Sequence, residues 1–192
     1  TAEAAAPLAA ALRGAGGGIK ELAFTSHRFD GDEAKRSFAA AVGELCSLEL
    51  LDVTNTTLGP AGGVALAEAL RRTKGLRELR AEDCCLEEEG CAALAAALAG
   101  HAGLEVVDLR YNEMGRGSVA QLAKSLAGKS KLRRVALDEE LEEEEGALEP
   151  LLAVLAAAGK GDALTLGDDE EESEEEEEES GEEEGEEEEE SG

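Results

Sequence analysis

An apolar pattern returns every 28 residues through most of this 192-residue chain. Leucine opens four successive units, at Leu48, Leu76, Leu104 and Leu132. Within each unit, apolar residues follow three and five positions later, and the same pattern begins once more, 29 residues earlier, at Ile19. Self-similarity at a fixed period predicts stacked copies of one structural unit, each of which buries its apolar face against its neighbours.

The second half of each unit has helical spacing. Leucine pairs four residues apart, which share one face of a helix, recur in three units: Leu66 and Leu70, Leu94 and Leu98, Leu122 and Leu126. The first half matches the pattern LxxLxLxxN/CxL of leucine-rich repeats. We therefore predict an α/β horseshoe over residues 19–166, with a parallel inner sheet, outer helices and a last edge strand at residues 164–166.

Local signals predict where helices begin and how the turns are held. Pro60 suits the first turn of a helix, and Ser118 with Gln121 has the spacing of a capping box. Cys84 and Asn112 occupy the turn position of the pattern, where such side chains hydrogen-bond the loop backbone. His27 lies in the same column and receives the same structural interpretation.

Charge divides the chain into two regions. The sequence carries 46 acidic and 18 basic residues, a formal net charge of −28, and 19 of the acids lie in residues 168–192 beside serine and glycine alone. We predict a repeat domain over residues 1–167 that begins within a repeat, with further repeats upstream, and a disordered tail over residues 168–192. The scarcity of aromatic residues and of clustered bases argues against direct nucleic-acid binding, and no apolar run reaches the length of a transmembrane segment.

Cysteine and histidine give little sign of catalysis or metal binding. The four cysteines (Cys46, Cys84, Cys85 and Cys91) form no CxxC pair, which predicts buried, reduced thiols in a cytosolic or nuclear protein. Only two histidines are present, so a zinc site has few ligands. No nucleophile and base can be assembled, and we predict neither catalytic residues, nor a metal, nor a cofactor within this chain.

The inner sheet surface is the candidate binding site. In the predicted register, Asp52, Arg80 and Asp108 fall side by side on neighbouring strands, and Glu82, Arg110 and Asp138 do so two residues further on. These charges can pair with one another or face a protein partner, with Tyr111 as the aromatic anchor. The predicted partner-binding residues are Asp52, Arg80, Glu82, Asp108, Arg110 and Tyr111.

Repeats of 28–29 residues with full helices resemble the ribonuclease-inhibitor type. The segment LRRVALDEELEEEEGALEPLLAVLAAAGKGDALTLGDDEEESEEEEEE resembles the end of a Ran GTPase-activating protein, where the last repeat leads into a short strand and a glutamate tract, and Asp83-Cys84 matches its turns. The resemblance implies a cytoplasmic protein, also at the cytosolic face of the nuclear envelope. It would activate GTP hydrolysis on a Ran-type small GTPase without being an enzyme itself, and its acidic tail would contact other basic proteins.

The activating arginine of that family lies in an early repeat. FTSHRFDGDEA resembles the loop that bears it, which makes Arg28 a candidate, but the register set by the tail places that loop upstream of Thr1. Two non-catalytic alternatives remain: a histone binder resembling the acidic nuclear phosphoproteins, whose repeats are shorter, and an interaction scaffold of the immune-receptor type.

Overall fold

The computed structural model describes residues 10–12, 14 and 18–167. Its centre is a six-stranded sheet in which the strands are parallel and lie in chain order. The strands are β1 (Glu21–Ala23), β2 (Leu50–Asp52), β3 (Glu78–Arg80), β4 (Val106–Asp108), β5 (Arg134–Leu137) and β6 (Leu164–Leu166). The predicted last edge strand is β6, and the predicted α/β leucine-rich repeat horseshoe is confirmed.

The repeat pattern sets the register of the sheet. Leu51 of β2 pairs with Leu79 of β3, which pairs with Val107 of β4, and all three side chains are fully buried. Residues on either side of them point to the opposite face, because side chains alternate along a strand. The sheet therefore has one apolar face, turned to the helices, and one face with polar and charged side chains.

Within residues 18–167, five helices lie behind the sheet, one after each of the first five strands. They are α1 (Gly31–Val42), α2 (Gly59–Leu70), α3 (Glu87–Leu98), α4 (Arg116–Leu126) and α5 (Glu149–Ala157). The leucines predicted to share a helix face are at most 1% exposed, so they form the core with the strand leucines. Between α2 and α3, Gly63 and Gly90 let the two backbones come close together: a Cβ added at Gly63 would lie 2.9 Å from the Gly90 Cα.

One predicted helix start is confirmed and one is wrong. Pro60 lies in the first turn of α2, as expected. Ser118 is already the third residue of α4, and its hydroxyl donates to the Gly115 carbonyl at 2.9 Å, while Gln121 Nε2 donates to Ser125 Oγ. The predicted capping box therefore does not form.

The turn column is structural, as predicted. Asn112 is fully buried; its amide nitrogen donates to the carbonyls of Ala81, Leu109 and Arg110, and its oxygen accepts from the Cys84 N–H at 3.0 Å. One side chain thus satisfies backbone groups of two repeats. His27 differs, because its half-buried ring packs against aromatic rings instead, with its centroid 4.7 Å from that of Phe24.

Two remaining predictions concern the C-terminal region and the membrane. The acidic loop 138–145 contains a short 3₁₀ helix, Glu139–Glu142. The tail predicted to be disordered lies outside the described residues. In the part of the chain that the structure describes, no helix combines the length and apolar character needed to span a bilayer.

Candidate protein-binding surface

A groove of about 820 Å³ runs along the polar face of the sheet. It crosses the first five strands, since its lining extends from the turn after β1 to Arg134 on β5. The residues that line it are Thr25, Ser26, Asp52, Thr54, Arg80, Glu82, Val106, Asp108, Arg110, Arg133 and Arg134. Five of the six predicted partner-binding residues are therefore brought together in one groove, and Tyr111 lies just outside it.

The first predicted charge row is aligned but not paired as expected. Asp52, Arg80 and Asp108 are direct neighbours across β2, β3 and β4. Arg80 nevertheless forms its ion pair with Glu78 of its own strand, at 3.0 Å. Asp52 accepts a hydrogen bond from the Thr54 N–H at 2.9 Å. Residues two apart on a strand lie on the same face, so this local pairing competes with cross-strand pairing.

Arg110 is the centre of a buried charge cluster. Its guanidinium donates to both carboxylate oxygens of Asp108, at 3.0 and 2.7 Å, and to Glu82 at 3.2 Å. Its Nη1 donates to the Gly167 carbonyl at 3.1 Å. Such two-pronged contacts between a guanidinium and a carboxylate are among the stronger hydrogen bonds in proteins. Arg110 and Asp108, both under 9% exposed, therefore act first as structural residues.

Asp138, the last member of the second predicted row, has a structural role instead of pairing with Arg110. Its carboxylate accepts a hydrogen bond from the backbone N–H of Tyr111. Burial raises the pKa of Asp138, while hydrogen bonds from the backbone of Tyr111 and Asn112 oppose that rise. The Glu82–Arg110 contact of the predicted row does cross between repeats as expected.

Tyr111 is an exposed aromatic residue in an unfavourable backbone conformation. Its φ is +56°, and the residue is 44% exposed. The equivalent positions of two earlier repeats hold Asn55 (φ +57°) and Asp83 (φ +47°), residue types that tolerate this region better. The ring borders a second cavity of about 480 Å³, to which Met114 and Leu141 also contribute. A tyrosine at a position where the backbone favours asparagine is consistent with a binding role.

A row of alternating charges that we did not predict crosses the sheet at the position immediately before each of the first five strands. We call this row the charge ladder; its members are Lys20, Glu49, Arg77, Glu105 and Arg133. Glu49 contacts Lys20 at 2.7 Å and Arg77 at 3.6 Å. Glu105 contacts Arg77 at 2.6 Å and Arg133 at 3.2 Å. Pairing with Lys20 lowers the pKa of Glu49, and pairing with Arg77 lowers that of Glu105. The signal was present in the sequence, because the residue after each opening apolar position alternates in charge.

The four cysteines divide into buried and exposed thiols. Cys84 and Cys91 are buried thiols, as predicted, but Cys46 and Cys85 are exposed. Burial raises the pKa of the Cys91 thiol to about 12, so it stays protonated. Among the described residues, no group of three or more histidine, cysteine or acidic side chains is arranged to hold a metal ion.

Comparisons with known proteins support the predicted fold but not the predicted function. No protein-family profile matches the sequence, and no curated protein matches it. Among solved structures, the chain resembles the actin-binding site 2 of leiomodin-1, with a TM-score of 0.59, 18% identity, and coverage of 80% of this chain and 90% of that one. It also resembles the tropomodulin C-terminal domain of Caenorhabditis elegans, with a TM-score of 0.62, 18% identity, and coverage of 83% and 93%.

These neighbours correct the functional prediction. The predicted activation of a Ran-type GTPase is wrong, as are the alternatives of a histone binder or an immune-receptor scaffold and the partners predicted with them, because the similar structures are leiomodin and tropomodulin domains. The prediction depended on a glutamate tract and on repeat spacing. A glutamate tract gives the charge of a segment but does not identify a binding surface. Repeat spacing identifies the buried leucines but not the exposed residues that contact a partner. Arg28 is exposed in the loop after β1. Its candidate role as the activating arginine depended on the Ran prediction and is not proposed further. The family resemblance itself stays a prediction.

Proposed function

We propose that this chain is a non-enzymatic protein-binding module, that its partner is actin, and that it binds through the groove on the polar sheet face. The observation that carries this proposal is the similarity of fold, over four-fifths of the chain, to a structure described as an actin-binding site of leiomodin-1. At 18% identity the contact residues need not be shared, so the contact surface must be argued from this chain's own groove.

The lining of the groove favours a protein surface over a small molecule. Small-molecule pockets are mostly apolar, with a few polar groups. This groove is lined by four arginines, three acids, and serine and threonine side chains, and Val106 is its one apolar residue. Mixed charges across several strands suit a partner with complementary charges, which gains specificity and a faster rate of association.

The open part of the groove lies over the first three strands. Arg80 is exposed and Asp52 is half-buried, whereas Asp108 and Arg110 are engaged with each other. Arg80 and Asp52 are therefore the side chains best able to exchange their present contacts for contacts with a partner. Tyr111, near the far end of the groove, would supply the aromatic contact that such surfaces often use.

Co-sedimentation of the full chain with actin filaments, and a binding titration with monomeric actin, test the proposal. We expect binding to at least one of the two forms. Arg80→Ala should weaken it, because the variant removes an exposed cation from the groove. Lys124→Ala is the matched control, since Lys124 is an exposed cation on the outer helix α4.

Two results would contradict the proposal. If the full chain binds neither form of actin at low salt, the partner is wrong. If it binds actin but Arg80→Ala and Lys124→Ala behave alike, the partner is right and the groove is not the contact surface. Both variants should retain the wild-type circular dichroism spectrum, which excludes loss of the fold as the cause.

A further inference from the structure

The cavity beside Tyr111 combines an apolar wall with an acidic rim. Its volume of about 480 Å³ lies within the usual range of ligand pockets, roughly 300–1,000 Å³. The apolar wall is formed by the rings and chains of Tyr111, Met114 and Leu141. Of the described residues that line the cavity, four are acidic and none is basic. The four acids are Glu113, Asp138, Glu140 and Glu144.

A second cavity continues this surface towards α5. It has a volume of about 410 Å³ and shares Leu141 and Glu144 with the first. Leu152 borders it and is 46% exposed. Among the described residues, the exposed large hydrophobic ones are Tyr111 and Leu152, and both therefore lie on this one surface. Exposed apolar residues that are grouped together and rimmed by polar ones are typical of interaction sites.

The carboxylates around the first cavity favour a cationic occupant. Burial raises the pKa of Asp138, and the charges of Glu140 and Asp108 raise it further. Arg116 approaches Glu144 only at 3.9 Å, and the two side chains are 60% and 43% exposed. Such exposed ion pairs contribute little to stability, so Glu144 can exchange this contact for another cation.

Among cationic side chains, arginine suits this cavity best. Its guanidinium can stack on the ring of Tyr111 and donate in a fork to a carboxylate, and it is more weakly hydrated than the ammonium of lysine. Its aliphatic stem can pack on Met114 and Leu141. An anionic lipid surface or a nucleic acid would instead be repelled by the acidic rim.

We propose that this surface binds a segment of a protein partner in which an arginine stands next to an apolar residue. The arginine enters the cavity between Tyr111 and the carboxylates of Glu140 and Glu144, and the apolar residue packs on Leu152. The cavity and the sheet groove share none of their described lining residues. The proposal is therefore independent of whether the groove binds actin.

A peptide titration of the full chain, without actin, tests the proposal. The probe is an acetylated and amidated hexapeptide of alternating arginine and leucine, added to ¹⁵N-labelled protein at about 0.15 M salt, where the Debye length is about 8 Å. Backbone amide chemical shifts locate the bound peptide and give its affinity. A second hexapeptide has serine in place of leucine. Both peptides carry the same charge, so any general attraction to a chain of net charge −28 is the same for both.

Two variants of the protein remove the two halves of the site. Tyr111→Asn removes the ring without changing the charge. The double variant Glu140→Gln with Glu144→Gln removes two exposed carboxylates. Its matched control is Glu44→Gln with Glu89→Gln, which loses the same charge at two exposed positions outside both cavities. Each variant should keep the wild-type spectrum away from its substitutions, which shows that it is folded.

We expect the largest shifts at Tyr111, Leu141 and Leu152, and tighter binding of the leucine peptide than of the serine peptide. Tyr111→Asn should weaken binding by roughly 3- to 10-fold, the loss of a cation–π contact. The Glu140 and Glu144 double variant should weaken it several-fold more than the control pair does.

Four results would overturn the proposal. They are shifts confined to residues 168–192 or to the sheet groove, equal affinity for the two peptides, equal effects of the two carboxylate pairs, and no binding of the leucine peptide tighter than about 1 mM. Because actin is absent from the titration, none of these results bears on the proposed actin contact at the groove.

Discussion

The carboxylate of Glu88, in the first turn of α3, accepts a hydrogen bond from the backbone N–H of Ser118 in α4 at 2.7 Å. Its second oxygen accepts from the Gly115 N–H at 2.8 Å. One repeat thereby caps the helix of the next, which explains why α4 needs no capping side chain of its own. The negative charge also lies at the positive end of the α4 dipole.

Glu88→Ala should lower the free energy of unfolding by about 1 kcal/mol, the usual cost of losing an N-terminal helix cap. Urea unfolding followed by circular dichroism measures the change. Glu89→Ala is the matched control, because Glu89 is exposed in the same turn of α3. Equal losses in the two variants would mean that the Glu88 contacts contribute nothing specific.

Gly63→Ala should destabilise the protein by roughly 1–3 kcal/mol, the cost of overpacking a close contact. The new methyl would lie 2.8 Å from Leu86 Cδ2 and 2.9 Å from the Gly90 Cα, and the backbone of Gly90 cannot move aside easily. Thermal unfolding provides the measurement. In the control, Gly161→Ala, the new methyl meets no atom within 4 Å; that variant should unfold at the wild-type temperature, and a similar drop in both would refute the packing argument.

Stability should fall as the pH drops from about 6.5 to 4, in part because of His101. Its ring is fully buried, and burial, with Lys74 and Lys129 nearby, lowers its pKa from 6.5 to about 4. Between these values the unfolded chain binds a proton that the folded chain does not, so the free energy of unfolding decreases. In His101→Leu the decrease over this range should be smaller than in the wild type. Parallel pH profiles for the two proteins would show that His101 does not contribute.

Tyr111→Asn should weaken actin binding with little net change in stability. Asparagine adopts a positive φ more readily than tyrosine, so the substitution removes backbone strain of up to about 1 kcal/mol. The residue is 44% exposed, so the substitution also gives up the part of the ring that is buried, which opposes that gain. Thermal unfolding and the actin titration are measured on the same samples. A clear loss of stability would show that the ring has a packing role, and unchanged binding would exclude it as an anchor.

The fold could be predicted because its determinants are periodic. Leu51, Leu79 and Val107 lie 28 residues apart, and that spacing alone places them in register. Asn112 was predictable for the same reason, since its turn position recurs in every repeat. The capping role of Glu88 was missed because the N–H groups that donate to it lie 27 and 30 residues further on, and local sequence windows contain no sign of such a contact.

The sequence could predict which residues belong to the candidate site, but not how they interact with one another. The register brought Asp52, Arg80 and Asp108 into one row, but it could not say which charges pair. That choice depends on side-chain reach and burial: Arg80 turns to Glu78 on its own strand, and Arg110 takes Asp108. Function was harder still, because repeat spacing and an acidic tract are compatible with many partners.

The charge ladder before the strands has a consequence for how this array could change in length. Its signs alternate from Glu49 to Arg77, Glu105 and Arg133, so the pattern repeats every second unit rather than every unit. Excising a single 28-residue unit would set Glu49 beside Glu105, two like charges on adjacent strands, which is unfavourable. Excising or duplicating two units together would restore the alternation. In evolution or in design, this array should gain and lose repeats more easily in pairs than one at a time.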